Sequence, residues 1–202
     1  MEADLTGCSR RELPHRVAGV LESTGGDAAG KVRYLPILSI HPLILTTRIA
    51  LTIDSNGQVT ATWWEAKSDG TQSERVYVRR FTNALAPLDT LPQQVDAPPG
   101  APLGVDRAVF PSVATDGSGN VLVSWQGNVN AADALTFSGF GKSFAANGSQ
   151  QKADFRVDLA GRAYVATLRV ARSSQAKSFV ATWRDNRTGH FDVYTRVVAA
   201  LP

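Results

Sequence analysis

The chain has 202 residues, 43% of them hydrophobic and 19% charged, which supplies a packed core and argues against extended disorder. The formal net charge of +3 comes from 21 basic and 18 acidic residues with no long run of one sign, so a nucleic-acid or acidic-lipid footprint is not expected. The single cysteine, Cys8, excludes an intrachain disulfide and a cysteine-based zinc site.

In chain order, residues 1–45 match nothing that follows. A short helix is expected from about Ser9 through Glu22, weakened by Pro14 and Gly19. Gly25 to Gly30 reads as a linker. Arg10, Arg11, Glu12 and Pro14 stand where a signal peptide would need an apolar run. The most apolar window, Leu35 to Leu45, is too short to span a bilayer and is broken by Pro36 and Pro42. Those prolines also make it a poor central strand.

From residue 46 a repeat emerges. Trp63, Trp125 and Trp183 each close a run of alternating apolar residues, VTATW, VLVSW and FVATW, at intervals of 62 and 58 residues. The alternation is that of a strand with one apolar face. DSNG from Asp54 and DGSGN from Asp116 precede the first two runs and suit tight hairpin turns. The third copy has the degenerate SSQAKS there. Upstream, IALTI from Ile49 aligns with PSVAT from Pro111 and with LRVAR from Leu168. Downstream, YVRRF from Tyr77 aligns with FGKSF from Phe140 and YTRVV from Tyr194, and QQVD ending at Asp96 aligns with FRVD ending at Asp158.

Each unit thus supplies a strand, a turn, the tryptophan strand, a loop, an aromatic-basic strand and a short fourth strand. The expected fold class is all-β: a partial β-propeller of about two and a half four-stranded blades, with a tandem β-sandwich as the alternative. The units are 46–106, 107–162 and 163–202, the last incomplete. An incomplete ring leaves strand edges exposed, so the chain is read as a fragment, or as self-associating through those edges.

The stretch WRDNRTGHFDVYTR, Trp183 to Arg196, resembles the W-x-D-x-R-x-G-x-x-D-[IV]-Y-x-x-R signature of bacterial secreted and surface repeat proteins. PSVATDGSGNVLVSW, Pro111 to Trp125, is similar to the P-x-V-A-x-D-x-x-G-x-x-x-V-x-W part of their units. The resemblance implies a propeller-like fold and an extracellular or surface role in recognition or display. It implies no reaction. The second repeat departs from it, carrying Gln126 to Phe137 in place of the charged loop.

Trp63, Trp125 and Trp183 are expected in the core, with Asp54, Asp116 and Tyr194 as structural repeat positions. Trp64 points to the opposite strand face and is the candidate for stacking on a ligand. Arg79, Lys142 and Arg196 recur at one position, either lining a groove for an acidic glycan or joining neighbouring units through a repeat acid such as Asp54, Asp116 or Asp185. Asp185, Arg187 and Asp192 are expected in a solvated hairpin loop. The Asp54 and Asp116 turns lack the acid and glycine placement of a calcium loop. His15, His41 and His190 have no metal-ligand spacing, and no catalytic constellation, cofactor or metal is expected. The expected function is a non-catalytic binding or display scaffold for a glycan or protein partner. The alternative is a fragment of a sialidase-like, propeller-type glycan-processing enzyme with its catalytic residues elsewhere.

Overall fold

The computed structural model describes residues 16–21, 33–38, 44–67, 74–97, 101, 103–128, 136–158, 164–173 and 178–199; for 16–21, 33–38, 44–47 and 67 it describes the backbone alone. Strands β1 (Arg16–Leu21) and β2 (Arg33–Leu38) pair antiparallel as a two-stranded sheet. This corrects the helix expected from Ser9 to Glu22. RVAGVL carries two valines and a glycine, which lower helix propensity. Pro36 of β2 faces Ala18 of β1; among the described residues the sheet has two strands, and proline is tolerated in strands at a sheet edge. Ser9 to His15, Cys8, His41, the Gly25 to Gly30 linker and most of the SSQAKS turn lie outside the described residues.

Three antiparallel sheets follow, each built in chain order. The first is β3 (Ile44–Ile53), β4 (Val59–Lys67), β5 (Arg75–Phe81) and β6 (Gln93–Gln94). The second is β7 (Arg107–Thr115), β8 (Val121–Asn128), β9 (Ser138–Phe144) and β10 (Gln150–Arg156). The third, three-stranded among the described residues, is β11 (Ala166–Arg172), β12 (Ser178–Asp185) and β13 (Asp192–Ala199). The first strand of the middle sheet, β7, packs against β3 on one side and β11 on the other. The sheets therefore follow one another like propeller blades.

The middle sheet distinguishes this arrangement from tandem sandwiches, in which each sheet buries only one face. Trp125, Val121 and Val123 pack with Val76 and Val78 of the first sheet. Leu122 and Val157, on the other face, pack with Leu168, Phe179 and Trp183 of the third. Every residue of β8 is buried.

The tryptophans anchor the blades. Trp63 stacks on Tyr77, Trp125 on Phe140 and Trp183 on Tyr194, with centroids 6.2, 6.1 and 6.0 Å apart. These are cross-strand pairs of the same register in each sheet. Burial and the Glu65 and Asp96 carboxylates push the Tyr77 hydroxyl pKa up to about 12. The indole N–H finds a different answer in each blade. Trp63 Nε1 donates to Glu65 Oε1 at 2.8 Å and Trp183 Nε1 to Asp185 Oδ2 at 2.9 Å. In the middle blade Gly127 takes the place of the acid, and Trp125 Nε1 has no hydrogen-bond partner among the described residues. Space for an acid is gone there: a Cβ on Gly127 would lie 2.6 Å from Val105 Cγ1 and 2.8 Å from the Phe140 ring.

The Asp turns are built alike. Asp54 Oδ1 accepts from the N–H of Asn56 and Gln58 at 2.8 and 2.9 Å, and Asp116 Oδ1 from Ser118 and Asn120 at 2.7 and 2.9 Å. Gly57 and Gly119 close the turns at φ of 78° and 82°, a region in which side chains are strained. The carboxylates serve the hairpin backbone.

Candidate functional site

The inner strands share a backbone irregularity that lies at one axial end of the blades. Arg48, Phe110 and Thr167 have φ of 55°, 53° and 53°. They occupy one repeat position, the residue before Ile49, Pro111 and Leu168, and each sits at a register shift in its strand pair. None is glycine, and Thr167 is β-branched, so each costs on the order of 1 kcal/mol or more and must be held by its surroundings. A bulge of this kind bends the strand and re-aims side chains.

For Phe110 and Thr167 the preceding blade supplies contacts. Trp64 sets its edge against Phe110, centroids 6.0 Å apart at 76°. At the same repeat position of the next blade the Gln126 amide donates to Val165 O at 3.2 Å and accepts from Thr167 N at 3.0 Å. Above Phe110 lies the Arg48 guanidinium, 4.9 Å from the ring centroid, with the Arg48 side chain exposed. The result is a cation resting on a ring, both on strained backbone, backed by an indole.

Of the candidate ligand contacts, Trp64 belongs to this cluster. It is partly buried, packed against the core between the first two blades, and it supports Phe110 from behind. The three recurring bases lie elsewhere and do not converge on it. Arg79 is buried, and its guanidinium donates to the carbonyls of Asp89 and Thr90 at 3.1 Å. Lys142 donates to Val95 O and pairs with Asp154 at 2.9 Å. Arg196 donates to Val157 O at 3.3 Å and Arg156 O at 3.4 Å. Val95 and Val157 are equivalent residues of the two fourth-strand segments, so Lys142 and Arg196 reach back to the same carbonyl of the preceding blade. The repeat acids Asp54, Asp116 and Asp185 are engaged in their own hairpins.

Asp185 corrects the expectation of a solvated loop. It is fully buried, accepting from Trp183 and from the Arg187 guanidinium. That guanidinium holds the carboxyl below its usual pKa and lies over Tyr194, 4.1 Å from the ring centroid.

A joint that residue types conceal completes this end of the molecule. Between the first two blades Arg107 pairs with Glu74, its Nη2 2.9 Å from Oε1. The equivalent positions in the next joint are Tyr164 and Phe137, whose rings meet edge to face at 6.0 Å. The backbone bond is unchanged, Ala108 N to Glu74 O at 2.9 Å and Val165 N to Phe137 O at 2.8 Å. One geometry thus carries an ion pair in one place and an aromatic pair in the other. Phe191, the third member of the Glu74 and Phe137 position, touches Tyr164 and lies beneath Arg184.

At the opposite axial end, a cavity of about 280 Å³ opens between the inner strands, lined by Thr52, Asp54, Thr115, Asp116 and Arg172 among others. Among the described residues no group of three or more His, Cys, Asp and Glu side chains is placed to hold a metal ion.

These observations define an all-β array of propeller-type blades with an axial cation-aromatic cluster. No family model and no curated protein matches the chain. Among solved structures it is similar to an endo-arabinase from Bacteroides thetaiotaomicron VPI-5482, with a TM-score of 0.44 and 13% identity. The match covers 82% of this chain and 61% of that one, so the chain spans under two thirds of that enzyme's length. The fold assignment rests on the sheets themselves.

Proposed function

We propose that the protein is a binding scaffold whose ligand contact is the axial cluster of Arg48, Phe110 and Trp64. The ligand class is an acidic glycan: the Arg48 guanidinium meets a carboxylate, and the Phe110 ring edge, supported from behind by the Trp64 indole, meets the apolar face of a sugar. The observation that carries this reading is Arg48, exposed and seated on Phe110, with both residues held at positive φ. Strain of this kind persists where the surroundings enforce it and gathers at binding sites. Among the described residues, several carboxylates near this end serve other groups. Glu74 serves Arg107, Asp158 serves Arg156, and Asp185 serves Trp183 and Arg187. A cation seated on a ring is suited to binding, the role implied by the secreted and surface repeat proteins that the Trp183 to Arg196 stretch resembles.

The test is Arg48→Gly, read by calorimetric titration with uronic-acid oligosaccharides and by urea denaturation. Glycine relieves the positive φ, so stability is expected to rise by about 1 kcal/mol. Binding is expected to weaken at least tenfold, since a charge-assisted bond contributes about 1.5–3 kcal/mol. Trp64→Ala is expected to weaken binding as well while lowering stability, because it removes the support of Phe110. A wild-type protein that binds neither acidic nor neutral oligosaccharides would sink the proposal. So would affinity that Arg48→Gly leaves unchanged.

A further inference from the structure

At the axial end opposite Arg48, the cavity of about 280 Å³ is walled by all three blades. Ile53, Thr115 and Arg172 each end the inner strand of their blade, just before the turn residues Asp54, Asp116 and Ser173. The three hairpins are closed alike. Asp54 N donates to Gln58 O at 3.0 Å, Asp116 N to Asn120 O at 2.9 Å and Ser173 N to Ser178 O at 3.1 Å. The shared hairpin does not call for an arginine, yet one stands where the other blades have isoleucine and threonine.

Arg172 from the third blade and Asp54 from the first both reach the middle hairpin. A Cβ on Gly117 would lie 2.6 Å from Arg172 Nη2 and 3.2 Å from Cζ, so the guanidinium rests against the turn in space that glycine leaves. A Cβ on Gly119 would lie 3.5 Å from Asp54 Oδ2. Asp116 spends both oxygens on its own turn, Oδ2 accepting from Asn120 Nδ2 at 2.8 Å. Asp54 spends only Oδ1. Among the described residues Asp54 Oδ2 has no hydrogen-bond partner, and Arg172 has neither a hydrogen bond nor an ion pair. Arg172 is exposed and Asp54 half-buried, so a ligand reaches both. The cavity thus offers one open cation and one open carboxylate oxygen that do not pair with each other. Beside them lie Thr52, Ser55 and the aliphatic surface of Val113, Ala114 and Val170.

We propose that this cavity binds a free amino acid as its zwitterion. The ligand carboxylate takes the guanidinium fork of Arg172, and the ammonium donates to Asp54 Oδ2. The carbon skeleton lies on the aliphatic wall. Charge selects this class: a simple anion meets Arg172 but is repelled by Asp54 and Asp116, and a simple cation is repelled by Arg172. A zwitterion gives each wall the opposite charge. Size agrees, since about 280 Å³ holds roughly nine waters at about 30 Å³ each, room for one small molecule and not for an oligosaccharide.

The experiment is calorimetric titration of the whole protein with L-alanine, L-valine and γ-aminobutyrate, which differ in side chain and in charge spacing. Saturable binding of at least one is expected. Propionate and propylamine, each keeping a single charge, are expected to bind at least tenfold more weakly. Arg172→Met and Asp54→Asn are each expected to weaken amino-acid binding at least tenfold. Neither is expected to move the urea midpoint: Arg172 has no described partner to lose, and asparagine keeps an acceptor for the N–H groups of Asn56 and Gln58. Absence of saturable binding by all three amino acids would overturn the proposal. So would propionate or propylamine binding as tightly as the best amino acid, or affinity that Arg172→Met leaves unchanged. Arg48→Gly is expected to leave amino-acid affinity as it is, and a loss there would overturn the placement at this end. The titration involves neither Arg48 nor a glycan, so its failure is separate from failure of the glycan reading.

Discussion

Trp125→Ala is expected to lower the unfolding free energy by about 4 kcal/mol, within the range for deleting a large buried aromatic. Trp125 is fully buried between the first two blades and stacks on Phe140 at an interplanar angle of 20°. Its loss opens a cavity in the joint, not merely in one blade. The informative companion is replacement of Trp125 and Trp183 by phenylalanine. Each removes a similar volume from a similar stack, so the cavity cost is shared. The hydrogen bond is not shared. Trp183→Phe takes a donor from the buried Asp185, whereas Trp125→Phe removes an N–H that has no partner among the described residues. Asp185 keeps Arg187, so what separates the two variants is one hydrogen bond to a charged group, about 2 kcal/mol, with Trp183→Phe losing the more stability. Urea denaturation with comparable m-values measures the difference. Equal losses would mean that the indole–carboxylate bond contributes nothing net.

The same tryptophans explain what was readable in the sequence. Their spacing, the alternation before them and the aromatic residue after them are fixed by packing that every blade must repeat, so residue type records it. The turn aspartates are legible for a similar reason, since few side chains bond the backbone two and four residues on. Other features repeat in geometry but not in residue type. The positive φ of Arg48, Phe110 and Thr167 falls on three unlike residues with no glycine or asparagine to mark it. The joint that holds Glu74 to Arg107 reappears as Phe137 against Tyr164, and no substitution table pairs those. The recurring bases could be recognised as a repeated position, but their partners are backbone carbonyls of the neighbouring blade, which no side-chain pattern discloses. The burial of Asp185 is hidden for a related cause: a charge beside a turn is usually solvated, and only the indole and guanidinium on it reveal its burial.

The joint between the first two blades should make stability depend on pH. Asp96 is buried, with its pKa pushed up to about 6 mainly by loss of solvation. The Val76 N–H at 2.8 Å and Arg75 at 3.5 Å offset part of this. Asp154, held by Lys142 and by Ala97 N–H, adds repulsion from the next blade. A folded-state pKa above the unfolded value of 3.8 means that the native state binds this proton more tightly. The stabilising contribution is complete below about pH 4 and disappears as pH rises through about 6. By linkage its size is about 3 kcal/mol. Against Asp96→Asn, which keeps an acceptor for Val76, the wild type should lose that much relative stability between pH 4 and pH 7. Parallel curves for the two proteins would refute the assignment. The second blade suggests a remedy, since Arg156 forks onto Asp158 with bonds of 3.0 and 2.8 Å where the first blade has Gln94 beside Asp96. Gln94→Arg, on the exposed β6, is therefore expected to bring the Asp96 pKa down and restore most of the stability lost at pH 7. A Gln94→Arg protein whose curve still tracks the wild type would show that desolvation alone, not the missing guanidinium, governs the joint.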